Sequence, residues 1–149
     1  MSVPVNTVFV ALTATGGHLA ERLAANLPGT EVHGLVDRVS KPDVAFDATA
    51  KHLRALFAAG RPIVGVCAAG ILIRTLAPLL NAKHAEPAVV AMAEDGSVAV
   101  ARAHADAGKS TCCHCCAGHQ CALRCRPGYR RACRRHARRA HAACDAAGG

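Results

Sequence analysis

Residues 101–149 contain no valine, isoleucine, phenylalanine or methionine, and their one leucine is Leu123. A segment without those side chains buries too little apolar surface to offset the entropy of ordering its backbone. The segment is therefore expected to be a largely disordered tail. The chain also lacks tryptophan and has one tyrosine, Tyr129. With a single ring to stack on a base, single-strand nucleic-acid recognition has poor support. Long apolar runs are missing as well: the longest, Pro62–Ile73, is too short to span a bilayer and ends at Arg74. The opening residues Met1-Ser2-Val3-Pro4-Val5 carry neither the basic stretch nor the small-residue cleavage site of a secretory leader. A cytoplasmic protein with reduced thiols is expected, without a membrane partner or a disulfide framework.

The net charge of +8 and the nine cysteines average over two unlike segments. Residues 1–100 hold eight basic and eight acidic residues, which cancel; residues 101–149 hold ten and two, and eight of the nine cysteines. Residues 1–100 are thus read as the folding unit. Residues 101–149 are read as a separate Cys/Arg/His/Ala-rich tail.

The folding unit alternates strand-like and helix-like stretches. "NTVFVALTAT" (6–15) has the Val/Phe/Thr content of a strand buried on both faces and ends at Gly16-Gly17. "HLAERLAANL" sets Leu19, Leu23 and Leu27 on a helical stripe that stops at Pro28-Gly29. "TEVHGLV" (30–36) is a second strand, and "DRVSKPDVAF" passes Pro42 into an edge strand. "DATAKHLRALFAAG" is a helix with Asp47 as N-cap, Leu53, Leu56 and Phe57 facing inward, and Gly60 at its end. "PIVGVCA" (62–68) is a central strand, and "GILIRTLAPLLNAK" a helix interrupted at Pro78. "PAVVAMAEDGSVAVA" is a hairpin turning at Asp95-Gly96. Strand–helix alternation with short links predicts an α/β fold: a mostly parallel sheet with flanking helices, three layers in a Rossmann-like topology.

In such a sheet ligands bind where strand carboxyl ends meet helix amino ends. The first such corner is Thr13-Ala14-Thr15-Gly16-Gly17-His18. Its glycines let a ligand approach the backbone, its hydroxyls donate hydrogen bonds, and the following helix offers N–H groups to an anion. The plainer reading is that Gly16-Gly17 turns the chain and Thr15 caps the helix. The second corner, Gly65-Val66-Cys67-Ala68-Ala69-Gly70-Ile71, has the outline of a dinucleotide fingerprint, but Cys67 stands where close backbone contact needs glycine. Cys67 at a helix start is either a thiol of lowered pKa, a nucleophile, or a small buried packing residue; burial is the commoner state of free cysteine. Arg74, one turn after Gly70, either reaches an acidic ligand or covers an exposed helix face. Asp95 is either a general base or, more often in an Asp-Gly pair, a turn residue.

The stretches "ALTATGGHLAERLAANLPGTEVHG", "HLRALFAAGRPIVGVCAAGILIRTLAPLL" and "KHAEPAVVAMAEDGSVAV" resemble the N-terminal domain of the CbiG family, cobalt-precorrin-5A hydrolases of cobalamin biosynthesis. The resemblance covers residues 5 to about 100 and is most specific in "GVCAAGILIRTLAPLLNAKHAEPAVVAMAEDG". It implies an α/β domain that helps bind a corrinoid intermediate. In the full enzyme it implies opening of a ring lactone with release of acetaldehyde. The substrate carries cobalt, and no resident cofactor is implied. The precorrin-3B C17-methyltransferase is the implied protein partner. Carried onto this chain, the substrate-binding candidates are Thr13, Thr15, Gly16, Gly70, Ile71, Arg74 and Glu94, with Asp95 and Cys67 as weaker catalytic candidates. A corrinoid precursor suits this set, because its many carboxylates need N–H, hydroxyl and guanidinium donors, and its ring needs apolar contact from residues such as Ile71. After Val100 the family continues with a Gly-His-x-Gly-Ala-Asn block, whereas this chain reads "ARAHADAGKSTCCHCC". That departure implies an incomplete enzyme.

Three readings of the tail stand. Cys112 and Cys115, and Cys113 and Cys116, have C-x-x-C spacing, and Cys121, Cys125, His114 and His119 are near enough to complete a zinc site. The run "RCRPGYRRACRRHARRAH" suits a polyanion. Favoured over both is a frame-shifted reading of GC-rich coding sequence, which enriches Ala, Arg, Gly, Pro, Cys and His together. No metal is expected on that reading, and zinc held by neighbouring thiolates is adventitious. The stretch Ala103–Ser110 loosely matches a phosphate-binding loop, but "TCCHCCAGH" is a poor helix to follow it.

Overall fold

The computed structural model describes residues 6–81, 86–97 and 99–102. The tail positions singled out above, from the phosphate-loop look-alike at 103–110 to the cysteines at 112–125, lie outside the described residues. The chain runs β1 (Val8–Ala11), α1 (Ala14–Ala24), β2 (Glu31–Leu35), β3 (Val44–Phe46), α2 (Thr49–Ala58), β4 (Ile63–Val66) and α3 (Ala69–Leu76). A single 3-10 turn (Ala77–Leu79) follows, then β5 (Val89–Met92) and β6 (Ala99–Arg102). One sheet holds the strands in the order β3-β2-β1-β4-β5-β6. The first five are parallel, and β6 returns antiparallel on β5, with Met92 opposite Ala99. This is the strand order of the doubly wound dinucleotide-binding folds. The α/β expectation holds.

Strand alternation makes two cores. Phe9 and Ala11 of β1 join Val64, Val66, Val90 and Met92 under Leu19, Ala20 and Leu23 of α1. Val8 and Val10 face the other way and join Ile63, Val89 and Ala91 under Leu53, Leu56 and Phe57 of α2 and Leu72 and Leu76 of α3. Successive residues of a strand point to opposite faces, so a strand covered on both sides must be apolar throughout. "VFVA" and "VVAM" meet that demand, with every residue buried. On the second face the Arg54 Nε donates to the Thr75 carbonyl at 3.0 Å, joining α2 to α3.

The link between β2 and β3 departs from the usual pattern. Parallel neighbours ordinarily need a crossover of about a dozen residues or more, mostly a helix. Here residues 36–43 suffice. The chain turns at once, with the Val39 amide donating to the Leu35 carbonyl at 3.1 Å and the Asp43 amide to the Val32 carbonyl at 2.8 Å. Asp37 and Lys41 take positive φ, 61° and 54°. The Asp43 carboxylate accepts from the Val32 amide at 2.7 Å and closes the loop. Val39 then covers the α1 face of the sheet in place of a helix. Its seat exists because Gly34 of β2 and Gly17 of α1 have no side chain: a Cβ on Gly34 would lie 2.6 Å from the Val39 Cβ, and one on Gly17 2.7 Å from a Val39 methyl.

Several local expectations are corrected. The first helix starts at Ala14 and includes Gly16 and Gly17, which therefore do not turn the chain. Its cap is Thr13 and not Thr15: the Gly16 amide donates to the Thr13 hydroxyl at 3.1 Å. Asp47 does not cap α2, whose N-cap is Ala48 with no side-chain hydrogen bond. Pro78 does end α3, by way of the 3-10 turn.

Candidate functional site

The order of the strands fixes where a cleft opens. From β1 the chain first moves outward to β2 and β3, then crosses back to β4 on the other side of β1. Helices therefore leave β1 and β4 on opposite faces of the sheet, and their amino ends part at the carboxyl ends of these two strands. Thr13 follows β1, Cys67 follows β4, and Glu94 follows β5.

Three of the sequence candidates meet at this corner. The Thr13 hydroxyl donates to the Glu94 carboxylate at 2.7 Å while accepting the Gly16 amide of α1. A threonine cap of this kind contributes about 1 kcal/mol to a helix. Gly16 lies against β4, where a Cβ would sit 3.1 Å from the Val66 carbonyl. Its role is close helix–strand packing, as in the third glycine of a dinucleotide fingerprint. Gly65, by contrast, lies within β4 beneath Leu72 and takes no part in a phosphate turn.

Cys67 is buried in the core shared with α2 and α3. Burial first, and then the nearby Glu94 carboxylate, push its thiol up to about 11. Of the two readings of Cys67, the structure has the buried packing residue and not the thiol of lowered pKa. The position falls just before the helix amino end, but desolvation and a like charge outweigh whatever the helix dipole contributes. Asp95 is held as a turn residue: its carboxylate accepts from the Ser97 amide at 2.9 Å and the Ser97 hydroxyl at 2.6 Å. These hydrogen bonds keep its carboxyl below the usual carboxylate range, which is the wrong direction for a general base at neutral pH.

The remaining candidates lie on the helices that follow β1 and β4. Thr15 is exposed in the first turn of α1. Gly70 is exposed in the first turn of α3, and a Cβ there would meet nothing within 4 Å. The N-cap of α3 is Ala68, without a side-chain hydrogen bond, so the first-turn N–H groups of this helix have no side-chain acceptor. Arg74 is exposed one turn further on, and residues four apart share a helix face. Ile71 beside them is 37 % exposed. The start of α3 thus has no side-chain cap, although the Ile71 amide donates to the Ala68 carbonyl at 3.0 Å, and the Glu94 carboxylate is bonded to Thr13.

The sequence reading missed a second polar cluster, on the α2 face. His33 of β2 is 3 % exposed. Its Nδ1 lies 2.8 Å from His52 Nε2 on α2, and its Nε2 lies 3.1 Å from the Glu31 carboxylate. Arg61 donates to the same Glu31 oxygen at 2.7 Å. The spacing of Glu31 and His33, two apart on a strand, was a signal that the two share a face. Nothing local pointed to His52.

Among the described residues no group of three or more His, Cys, Asp or Glu is placed to hold a metal ion, and no helix is long and apolar enough to cross a membrane.

Comparison with known proteins agrees with this fold. Residues 51–119 match the family model described as cobalamin synthesis G N-terminal. The match takes in residues 101–119, which composition had set apart and the sequence reading had left outside the family. No curated protein matches the chain. The crystal structure of a cobalamin biosynthesis protein G homolog from Sulfolobus solfataricus superimposes with a TM-score of 0.60 at 11 % identity. The superposition covers 82 % of this chain and 37 % of that one, so this chain spans well under half the length of its structural neighbour. At that identity the likeness is one of fold. Residues 51–119 are thus similar to the N-terminal domain of cobalamin synthesis G, and the superposition shows that the chain shares the fold of that homolog.

Proposed function

We propose that this domain binds a carboxylate-rich corrinoid intermediate at the corner between β1 and β4, in the step that opens the ring lactone of cobalt-precorrin-5A. The observation that carries the reading is the meeting of Thr13, Gly16 and Glu94 at the point where the strand order reverses, beside the uncapped start of α3. A ring-borne carboxylate docks on the first-turn amides of α3 and on Arg74, and Ile71 meets the macrocycle edge. Thr13 holds Glu94 back from that carboxylate and keeps the inner wall in one arrangement.

A specific observation favours binding over chemistry within this chain. Neither catalytic candidate has the ionisation that its role needs: the Cys67 thiol is buried and raised, and Asp95 is tied into its turn. The reading we favour is therefore a corrinoid-binding module that works beside other elements of the hydrolase or beside the precorrin-3B C17-methyltransferase. Incubation of the full chain with cobalt-precorrin-5A, with an active hydrolase as control, separates the two. Saturable binding without acetaldehyde is the expected result. Acetaldehyde release would assign the hydrolysis to this chain, and absence of binding would end the corrinoid reading.

A further inference from the structure

The cluster on the α2 face is independent of the corrinoid corner and has a proton problem of its own. Two imidazole nitrogens 2.8 Å apart need one hydrogen between them, neither none nor two. Glu31, paired with Arg61 at 2.7 Å, is a carboxylate and accepts only, so His33 Nε2 presents N–H to it at 3.1 Å. In the neutral pair His52 then donates to His33 Nδ1. With one added proton His33 is the cation between Glu31 and His52, and the direction of the shared hydrogen bond reverses. Both states keep every hydrogen bond. A second proton puts N–H against N–H and two positive charges on rings whose centroids are 5.0 Å apart.

The hydrogen bonds of the pair give that second charge no carboxylate of its own. From β1 the neighbours on this face are Val8 and Val10, and from α2 they are Leu53 and Leu56. From β3 comes Phe46, stacked on His52 with centroids 4.4 Å apart and planes 7° from parallel. The link before β4 brings Arg61, a further positive charge. Asp43, before β3, is committed to the Val32 amide. Among the described residues Glu31 is the carboxylate hydrogen-bonded to the pair, and Arg61 already shares it, while Asp47 before α2 is exposed.

We propose that the His33–His52 pair is a single-proton latch: it holds α2 on β2 and β3 while it carries at most one added proton, and it releases the helix when a second binds. The sign follows from linkage. Burial, then the charges of His33 and Arg61, hold the His52 imidazole below its ordinary value. The unfolded or released chain therefore binds that proton more tightly, and the stability the latch contributes is complete above about pH 6.5 and lost as pH falls through the lower native value. Phe46 loses its stacking partner in the same event, so the edge strand β3 loosens with α2.

Two measurements on the full chain test this. Long-range nitrogen–proton spectra across pH follow each imidazole separately, and hydrogen exchange, corrected for intrinsic rate, follows residues 44–58. We expect the His52 imidazole to take up its proton below the ordinary histidine range. Protection of α2 is expected to fall at least about tenfold between about pH 7.5 and about pH 5, while β1 and β4 keep theirs. In His52→Gln the amide still faces His33 but takes no proton, and the acid response of α2 is expected to vanish. If that variant does not fold, the wild-type titration decides alone. Two independent steps near the ordinary histidine value with unchanged α2 protection would overturn the proposal, as would an acid response that survives in His52→Gln.

Discussion

Alanine in place of Gly34 is expected to destabilise the domain by about 3 kcal/mol, at the upper end of what overpacking a core ordinarily costs. In a domain of this size that lowers the melting temperature by roughly 10–20 °C. The added methyl would overlap the Cβ of Val39 at 2.6 Å and also Pro42 at 2.9 Å. A Cβ is fixed to the backbone, so no rotamer of Val39 relieves the clash. The loop itself must move, and it has little freedom to do so. Its ends are pinned by Val39 to Leu35 and by Asp43 to Val32, and two of its residues already sit at positive φ. Gly17→Ala meets only a Val39 methyl, at 2.7 Å, and is expected to cost less. Combining Gly34→Ala with Val39→Gly takes away the Val39 Cβ and methyl that the new side chain meets, so the double variant should be more stable than the sum of the two losses predicts. Thermal unfolding of the wild type and the four variants measures all of this. Additive losses would mean that Gly34 and Val39 do not meet.

Cys67 is expected to alkylate about 100-fold more slowly at neutral pH than an ordinary thiol with the same access. Moving a thiol from 9.0 to about 11 lowers its thiolate fraction at neutral pH about 100-fold, and the thiolate is the reacting form. Burial slows the reaction further. Iodoacetamide labelling read peptide by peptide, native against denatured, gives the rate for this residue alone. Glu94→Gln removes the like charge and should recover a smaller part of the loss than unfolding does, because burial is the larger cause. Fast native labelling of Cys67 would restore it as a nucleophile and reopen the question of catalysis by this chain.

The second result concerns a contact between residues far apart in sequence, Cys67 and Glu94, and that is where the limit of sequence reading fell. The strands were legible because a parallel sheet covered on both faces demands unbroken apolar runs such as "VFVA" and "VVAM". The inward face of α2 was legible from the spacing of Leu53, Leu56 and Phe57. The helix starts were not: threonines at 13 and 15 are equally good caps on paper, and Gly16-Gly17 has the look of a turn. What places both glycines inside α1 is the nearness of Val66 and Val39, which no local pattern encodes. The link from β2 to β3 gave no sign that it would cover the sheet itself. Of the corner, the residues were legible and the pairing of Thr13 with Glu94, 81 positions apart, was not. The same holds for His33 and His52, joined by topology across β2 and α2.

The corner at β1 and β4 is the claim on which the functional account rests, and residue-resolved binding tests it most directly. Titrating the full chain with a corrinoid bearing free carboxylates, against the same ring with those groups amidated, should shift amide signals in two places. These are Thr13–Gly17 and Cys67–Ile71, with Glu94 following and the amidated ring much weaker. Equal response to both rings, or shifts confined to the β3–α2 edge with the corner silent, would contradict it.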